Sequence, residues 1–230
     1  MKALFATMLL AASGAQAACE DWGTRGALLF QDDFNGPGSA QLKGYVSEYA
    51  RKPGNFIGTR DGRLVLDVDS GATVWLDKEL SGNILISYTR RVVMEGGPND
   101  RLSDLNHFWM ARDPAKRNLF TRSGKFEDYD DVDMYYAGVG GNYNKTTRLR
   151  RYGGGQRVMV AERLGPEWML EPNRDYRVEI AVYRGCTRML LDGREVFSYR
   201  DRHPFTQGHM GFRTTWSRHT IDNLTIHQLK

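Results

Sequence analysis

The chain alternates apolar and polar residues over short runs, and glycine-based turns separate one run from the next. In residues 177–182, valine and isoleucine alternate with arginine, glutamate and alanine, which is the pattern of a half-buried strand. Residues 56–69 predict a hairpin around Asp61-Gly62, and Asp192-Gly193 predicts the turn of a later hairpin. Further strands are predicted at residues 26–34, 72–80, 84–94, 106–112, 134–139, 146–152, 159–163, 211–215 and 220–229.

Short strands at this spacing, without internal repeats, predict an all-β fold in which two antiparallel sheets form a sandwich or jelly roll. No linker or low-complexity segment divides the chain, so residues 18–230 are expected to form a single domain. Residues 113–133 are the longest irregular stretch. Their charged and aromatic side chains are expected to fold over one end of a cleft.

Residues 1–17 predict a secretory signal peptide, since a charged Lys2 and a short apolar run precede a cleavage site, AQA, at residues 15–17. The mature chain would begin at Ala18 and lie outside the cytoplasm, in the periplasm or the medium. The apolar run is too short to span a bilayer, and no later segment resembles a transmembrane helix. A lipoprotein anchored at Cys19 is the alternative, but it requires an aliphatic residue where the glutamine of AQA stands.

The formal net charge is +4, and it becomes +3 when Lys2 is removed with the signal peptide. The basic residues are mostly arginine, which favours fixed contacts with anions over general attraction to nucleic acid. No nucleic-acid motif is present, and export also argues against such a partner. The two cysteines, Cys19 and Cys186, either pair in an oxidising compartment or stay as two free thiols.

Residues 135–152 combine four tyrosines, two asparagines and three arginines. On a strand, alternate side chains share a face, so Asn142 and Asn144 point one way, and Arg148 and Arg150 share a face on the next run. Tyrosine rings offer stacking surfaces, and arginine forks match carboxylates. This mixture favours binding of an acidic sugar. The alternative is a solvated sheet face with cross-strand pairs.

Several motifs resemble secreted concanavalin A-like jelly-roll domains. The motifs are FQDDFNG at residues 30–36, DGREV at 192–196, GHMGFR at 208–213 and IDNLTI at 221–226. Two central pieces, SDLNHFWMA at 103–111 and the run at 135–152, resemble an uncharacterised bacterial family of exported domains found near polysaccharide-degrading enzymes. The resemblance covers nearly the whole mature chain and implies a concanavalin A-like jelly-roll sandwich. The fold alone does not settle a function.

The two central pieces also resemble jelly-roll alginate lyases. Asn106-His107 stands where those lyases have a Gln-Ile-His strand, and residues 135–144 stand where they have a Tyr-Phe-Lys-Ala-Gly-x-Tyr-x-Gln strand. In the lyases the amide stands two residues before the histidine, so both share one face of the strand. Asn106 and His107 are adjacent and would face opposite sides of a regular strand, which departs from the lyase pattern. The Arg-x-Glu-x-Arg strand of the lyases is missing, and Arg148 and Arg150 are its proposed substitutes. The resemblance implies a polysaccharide lyase that cleaves an acidic, uronate-containing glycan by β-elimination.

β-Elimination requires a group that neutralises the sugar carboxylate, a base that takes the C5 proton and an acid that protonates the leaving oxygen. The residues assigned to proton transfer are His107, Tyr136 and Tyr143. The residues assigned to substrate binding are Asn106, Trp109, Asn142, Asn144, Arg148, Arg150 and Arg213.

Each assignment has a structural alternative. His107 would be a hydrogen-bonded, half-buried histidine, Trp109 a core residue, the asparagines turn formers and the arginines a solvated sheet edge. No paired acids of a glycosidase strand are found, so a glycan-binding module and a glycoside hydrolase with an unrecognised acid pair are the alternative functions. No cofactor is required. Asp32 and Asp222 are candidate calcium ligands, and the protein is expected to be a monomer.

Overall fold

A computed structural model describes residues 19–230, and the predicted signal peptide at residues 1–17 lies outside them. The strands are β1 (Arg25–Asp32), β2 (Tyr45–Tyr49), β3 (Phe56–Arg60), β4 (Arg63–Val68), β5 (Ala72–Leu76), β6 (Leu80–Ser81), β7 (Ile84–Val92), β8 (Leu105–Arg112), β9 (Asp133–Gly140), β10 (Thr146–Gly153), β11 (Gln156–Arg163), β12 (Asp175–Tyr183), β13 (Cys186–Leu191), β14 (Arg194–Arg200), β15 (Gln207–Thr214) and β16 (Ser217–Leu229). Short 3₁₀ helices cover Phe126–Tyr129 and Pro166–Trp168. Within residues 19–230, no helix is long and apolar enough to cross a membrane.

The strands form two antiparallel sheets. The back sheet has the order β14-β13-β12-β7-β16-β4-β3, with β1 paired to β16. The front sheet has the order β11-β10-β9-β8-β15-β5-β2, with β6 paired to β15. The predicted all-β, concanavalin A-like jelly-roll sandwich is confirmed.

The core lies between the sheets because alternate residues of each strand point inward. On β8, Leu105 and Trp109 belong to this core, together with Ile86 of β7 and Val178 of β12. The intervening residue Phe108 points to the other face of the front sheet, where it joins a second apolar cluster. Both faces of β8 are therefore buried.

The two predicted hairpin turns are present. Asp61-Gly62 joins β3 to β4, and Asp192-Gly193 joins β13 to β14. All four turn residues have positive φ angles, which the tight turns of right-twisted hairpins require. Strand β2 was not predicted from the sequence.

A disulfide joins Cys19 to Cys186 on β13. It links the first described residue to the back sheet, across a sequence separation of 167 residues. Of the two alternatives for these cysteines, the structure has the paired form.

Candidate functional site

Two rows of outward-facing residues cross the front sheet. The first row runs in register through Arg213 of β15, Asn106 of β8, Gly138 of β9 and Arg148 of β10. The second row runs through Gly211, Phe108, Tyr136 and Arg150 on the same four strands. Residues from distant parts of the sequence are thus brought side by side on one face.

Residues 113–132, here called the cover segment, lie over the second row. Phe126 and Tyr129 of this segment pack into the outer apolar cluster, which also contains Trp75, Phe108 and Tyr152. The rings of Trp75, Phe108, Tyr129 and Tyr152 are all fully buried. The cover segment therefore closes most of the outer face of the front sheet.

Polar contacts, most of them buried, hold the cover segment in place. Glu48 of β2 accepts hydrogen bonds from the indole of Trp75 (2.7 Å) and the hydroxyl of Tyr129 (2.8 Å). Arg122 forms ion pairs with Asp113 (2.7 Å) and Asp131 (2.9 Å). These contacts fasten the cover segment to β2 and brace it internally.

Beside the cover segment lies a cavity of about 200 Å³, here called the arginine cavity. Its walls are formed by Asp104, Phe126, Tyr136, Gly138, Gly141, Asn142, Thr146, Arg148, Arg150 and Thr215. Four of the residues predicted for the site, Tyr136, Asn142, Arg148 and Arg150, meet here. Asp104 is the sole carboxylic acid among the described lining residues.

Gly138 forms the floor of the cavity. A Cβ atom at this position would lie 2.2 Å from the hydroxyl oxygen of Tyr136 and 2.7 Å from Oδ1 of Asn106. Both polar groups thus sit directly above the glycine, in space that any side chain would fill. Oδ1 of Asn106 is buried and has no hydrogen-bond partner among the described residues. A buried acceptor of this kind is costly unless a ligand or water satisfies it.

The three arginines of the two rows differ in their partners. Arg148 donates to Glu162 across the sheet edge (2.5 Å). Arg150 lies with its guanidinium carbon 5.6 Å from the ring centre of Tyr136, and within residues 19–230 it forms no ion pair. Arg213 is fully buried under the cover segment, and its Nε and Nη2 lack hydrogen-bond partners there.

Burial sets the protonation of the two groups in the cavity that can transfer protons. It raises the pKa of the Tyr136 phenol above its ordinary value, so this hydroxyl keeps its proton at neutral pH. Burial also raises the pKa of the Asp104 carboxyl, and the neighbouring Arg101 opposes that shift. A carboxylate with a raised pKa is a stronger base than an exposed one.

An aromatic rim lies beside the cavity, formed by Tyr143 and Trp216, which directly follow the lining residues Asn142 and Thr215 in the sequence. The guanidinium of Arg101 lies between two exposed rings, 5.0 Å from the centre of Tyr143 and 5.2 Å from the centre of Trp216. Tyr143 belongs to the turn between β9 and β10, where Asn142, Tyr143 and Asn144 have φ angles of 53°, 57° and 59°. Three consecutive left-handed residues without glycine are costly, and such strain clusters at functional sites.

A buried arginine from the back sheet fixes the backbone of the first row. Arg90 of β7 reaches through the core and donates to the carbonyl oxygens of Asn106 (2.6 Å) and Arg213 (2.9 Å). Its Nε donates to Nδ1 of His219 (3.3 Å). Burial lowers the pKa of Arg90 to about 10, which still leaves it charged at neutral pH.

Four predicted site residues lie away from the cavity, namely His107, Trp109, Asn144 and Arg213, the last of which is buried under the cover segment. His107 faces the back sheet, where its ring contacts Tyr88 and Trp109 and both ring nitrogens lack partners. Burial lowers its pKa to about 3, so it is a neutral core residue and cannot reach a ligand in the cavity. Trp109 is also in the core and donates to Thr187 (2.9 Å). Both assignments are therefore withdrawn, because strand alternation puts these side chains on the inner face.

Asn144 has a structural role instead of a binding role. Its side-chain amide donates to the carbonyl of Leu170 (2.9 Å), and its Oδ1 accepts from the backbone N–H of the same residue (2.8 Å). These bonds tie the β9–β10 turn to the segment after β11. The assignment of Asn144 to substrate binding is withdrawn.

The structure does not support the predicted calcium site. Asp32 accepts hydrogen bonds from the N–H of Phe34 (2.8 Å) and the hydroxyl of Tyr45 (3.0 Å). Asp222 accepts one from the N–H of Asn223 (2.7 Å). No cluster of three or more His, Cys, Asp or Glu side chains in residues 19–230 could hold a metal ion.

Four residues of this region were not identified from the sequence. Asp104 was part of the motif at 103–111 but had no assigned role, and its motif position was the available signal. Arg101 stands two residues before the same motif, whereas Arg90 and Trp216 lie outside both central motifs, and no local pattern connects any of the three to the site.

Several solved structures share the fold. A protein of unknown function with a galectin-like fold from Bacillus subtilis is 19% identical, with a TM-score of 0.71 over 90% of this chain and 98% of that chain. A carbohydrate-binding module from Bacillus subtilis is 13% identical, with a TM-score of 0.58 over 84% of this chain and 100% of that chain. An endo-β-1,3-glucanase from Pyrococcus furiosus is 10% identical, with a TM-score of 0.60 over 88% and 94%. At these identities the similarity shows the fold alone.

No curated protein matches the chain. A family model does match it, over residues 66–224, which is more than half of its length. The matched range includes β8, β9 and β10, and with them the floor and the arginines of the cavity. The chain therefore belongs to the family described as a domain of unknown function, DUF6250.

Proposed function

We propose that the protein recognises an acidic, uronate-containing glycan in the arginine cavity. The observation that carries the proposal is Arg150, a guanidinium on the cavity wall that forms no ion pair within residues 19–230. Arginine binds carboxylate with two parallel hydrogen bonds, and such charge-assisted bonds are stronger than neutral ones. The hydroxyl of Tyr136 and the free Oδ1 of Asn106 supply further groups that suit sugar hydroxyls.

The names of the fold neighbours support a carbohydrate ligand. They include a carbohydrate-binding module, an endo-β-1,3-glucanase and the lumenal domain of VIP36 in a Ca²⁺- and mannose-bound form. The disulfide between Cys19 and Cys186 supports a location outside the cytoplasm, in the periplasm or the medium. We further propose that residues 18–230 act as one domain and as a monomer, without a required cofactor.

A binding experiment tests the proposal. Calorimetry would measure the affinity of the folded protein for fragments of pectin, glucuronan and alginate, with neutral β-glucan for comparison. Arg150→Ala is expected to weaken binding of acidic glycans by at least roughly tenfold, because a hydrogen-bonded charge is lost. Arg150→Lys should recover only part of the affinity, since lysine keeps the charge but lacks the fork.

Arg177→Ala is the matched control. Arg177 is an exposed arginine on the back sheet, paired with Glu179, so its loss changes the net charge equally without touching the cavity. Absence of binding to every acidic glycan, or equal weakening by Arg150→Ala and Arg177→Ala, would overturn the proposal.

β-Elimination is a second candidate function, and the specific observation for it is that Asp104 and Tyr136 line the same cavity as the two arginines. Asp104 would take the C5 proton of the uronate, and Tyr136 would donate its proton to the leaving oxygen. The C4–O bond breaks as a C4=C5 double bond forms, while Arg148 or Arg150 stabilises the carboxylate. Tyr143 at the rim is an alternative proton donor. A single carboxyl in the cavity does not suit the two-acid chemistry of glycosidases.

The elimination is tested by ultraviolet absorbance of the new double bond. Tyr136→Phe removes one oxygen atom and is expected to slow the reaction by about 10²- to 10⁴-fold, with smaller loss of binding. Asp104→Asn should have a similar effect. His107→Leu is the control variant and should retain activity, because His107 faces the core. A wild type that binds acidic glycans but forms no unsaturated product would leave binding as the function and reject elimination.

A further inference from the structure

The arginine cavity is closed on the side of the cover segment. Phe126 packs 5.6 Å from the ring centre of Tyr136 and 6.4 Å from that of Tyr152. Beyond these rings, the outer face of the front sheet is fully buried at Phe108 and Trp75. A glycan chain in the cavity cannot continue along the sheet in this direction.

The cover segment also leaves no passage beneath it. Its backbone at Gly124 is pressed against the turn at Gly71, so that a Cβ on Gly71 would lie 2.2 Å from the carbonyl oxygen of Gly124. A Cβ on Gly124 would lie 2.5 Å from the carbonyl oxygen of Gly71. Arg213 donates to the same Gly124 carbonyl (2.9 Å). A side chain at either glycine would clash with the carbonyl oxygen of the other. The two backbone segments therefore lie too close together for a sugar to pass between them.

The outer edge of the sheet carries the ion pair between Arg148 and Glu162, which a chain entering there would have to separate. The remaining side carries the aromatic rim, next to the lining residues Asn142 and Thr215. Tyr143 is 62% exposed and Trp216 is 37% exposed, and Arg101 holds both rings. Exposed rings held in place by a guanidinium provide flat, rigid surfaces on which the apolar face of a sugar can stack.

We infer that the site binds the end of a glycan chain, with the terminal uronate in the arginine cavity and the next sugar on the rim formed by Tyr143 and Trp216. The inference rests on the proposed function, and it adds that the ligand is a chain terminus instead of an internal segment. If the cavity is also catalytic, the same closure makes the reaction exo-acting.

The test is the number of binding sites per mass of glycan. One acidic polysaccharide that the protein binds is cut randomly into samples of decreasing mean length, and calorimetry measures the molar amount of protein bound per gram of each. A chain-end binder should bind twice as much protein when the mean length is halved. A binder of internal segments should bind the same amount per gram in every sample, and this result would overturn the inference while the proposed function stands. Absence of binding in all samples would reject the proposed function itself.

Variants at the rim provide an independent measurement. Trp216→Ala and Tyr143→Ala should weaken binding of a uronate disaccharide by roughly tenfold and leave binding of the single uronate sugar unchanged. Leu164→Ala is the control, because Leu164 is an exposed apolar residue outside the cavity and the rim. Equal losses for the disaccharide and the single sugar would contradict the placement of the second sugar on the rim.

Discussion

Replacement of His107 by leucine should make the protein more resistant to acid. The His107 ring is fully buried between the two sheets, beside Tyr88 and Trp109. Neither ring nitrogen has a hydrogen-bond partner among the described residues. Burial, and to a smaller extent the charge of Arg90, lowers the pKa of His107 to about 3.

The direction of the effect follows from proton binding. An unfolded histidine takes up a proton near pH 6.5, whereas the folded His107 stays neutral down to about pH 3. The unfolded state therefore binds more protons in this window, and acidification lowers the free energy of unfolding. Each pH unit below 6.5 costs about 1.4 kcal/mol, so His107 alone should cost about 3 kcal/mol at roughly pH 4.5. His107→Leu removes this cost and keeps an apolar side chain in the core.

The assay is urea unfolding, followed by tryptophan fluorescence, at several pH values for the wild type and His107→Leu. The stability difference between the two proteins should grow by about 3 kcal/mol in favour of the variant between roughly pH 7.5 and 4.5. His203→Leu removes an exposed histidine and tests whether removal of any histidine has this effect. Parallel pH profiles for the wild type and His107→Leu would refute the assignment of His107 as a neutral core residue.

Two variants and one chemical reduction test the construction of the site and the fold. Gly138→Ala should weaken glycan binding by roughly tenfold, because its Cβ would lie 2.2 Å from the hydroxyl oxygen of Tyr136. Gly36→Ala is the control. Its Cβ meets no atom within 4 Å, so the affinity measured by calorimetry should be unchanged. Arg90→Met should lower the free energy of unfolding by roughly 2–4 kcal/mol, because two buried carbonyls lose their donor, and an unchanged urea midpoint would contradict this role. Reduction of the Cys19–Cys186 disulfide should lower the melting temperature. The loss of stability has an upper limit of about 5 kcal/mol from chain entropy for the 167-residue separation, and an unchanged melting temperature would argue against the bond.

The sequence predicted the sheets well because their signals are local. Alternation at residues 177–182 and the Asp-Gly turns each specify a strand or hairpin within a few residues. Strand β2 was missed, since its sequence YVSEY has no clear alternation. The burial of Glu48 on this strand depends on the cover segment, which contacts it from 74 and 81 residues away along the chain.

The site was only partly predictable because its walls come from separate parts of the chain. The adjacency of Asn106 and His107 predicted that their side chains face opposite sides of β8. Which of the two faces carries the candidate site is decided by which face of β8 the back sheet packs against, and the sequence does not show this. The rim depends on Arg101 bringing Tyr143 and Trp216 together, a contact with no local signature. Tyr136, Arg148 and Arg150, which line the cavity, were predicted because all three lie within one dense polar and aromatic run.

The buried Arg90 has a consequence for protein engineering. It holds the backbone of two front-sheet strands from the opposite sheet, so the pocket is not a surface feature that can be moved by itself. A designer who copied the residues of the front sheet onto another jelly roll would transfer the side chains without the brace that spaces their strands. A successful graft would therefore have to include Arg90 and His219, two buried residues of the back sheet.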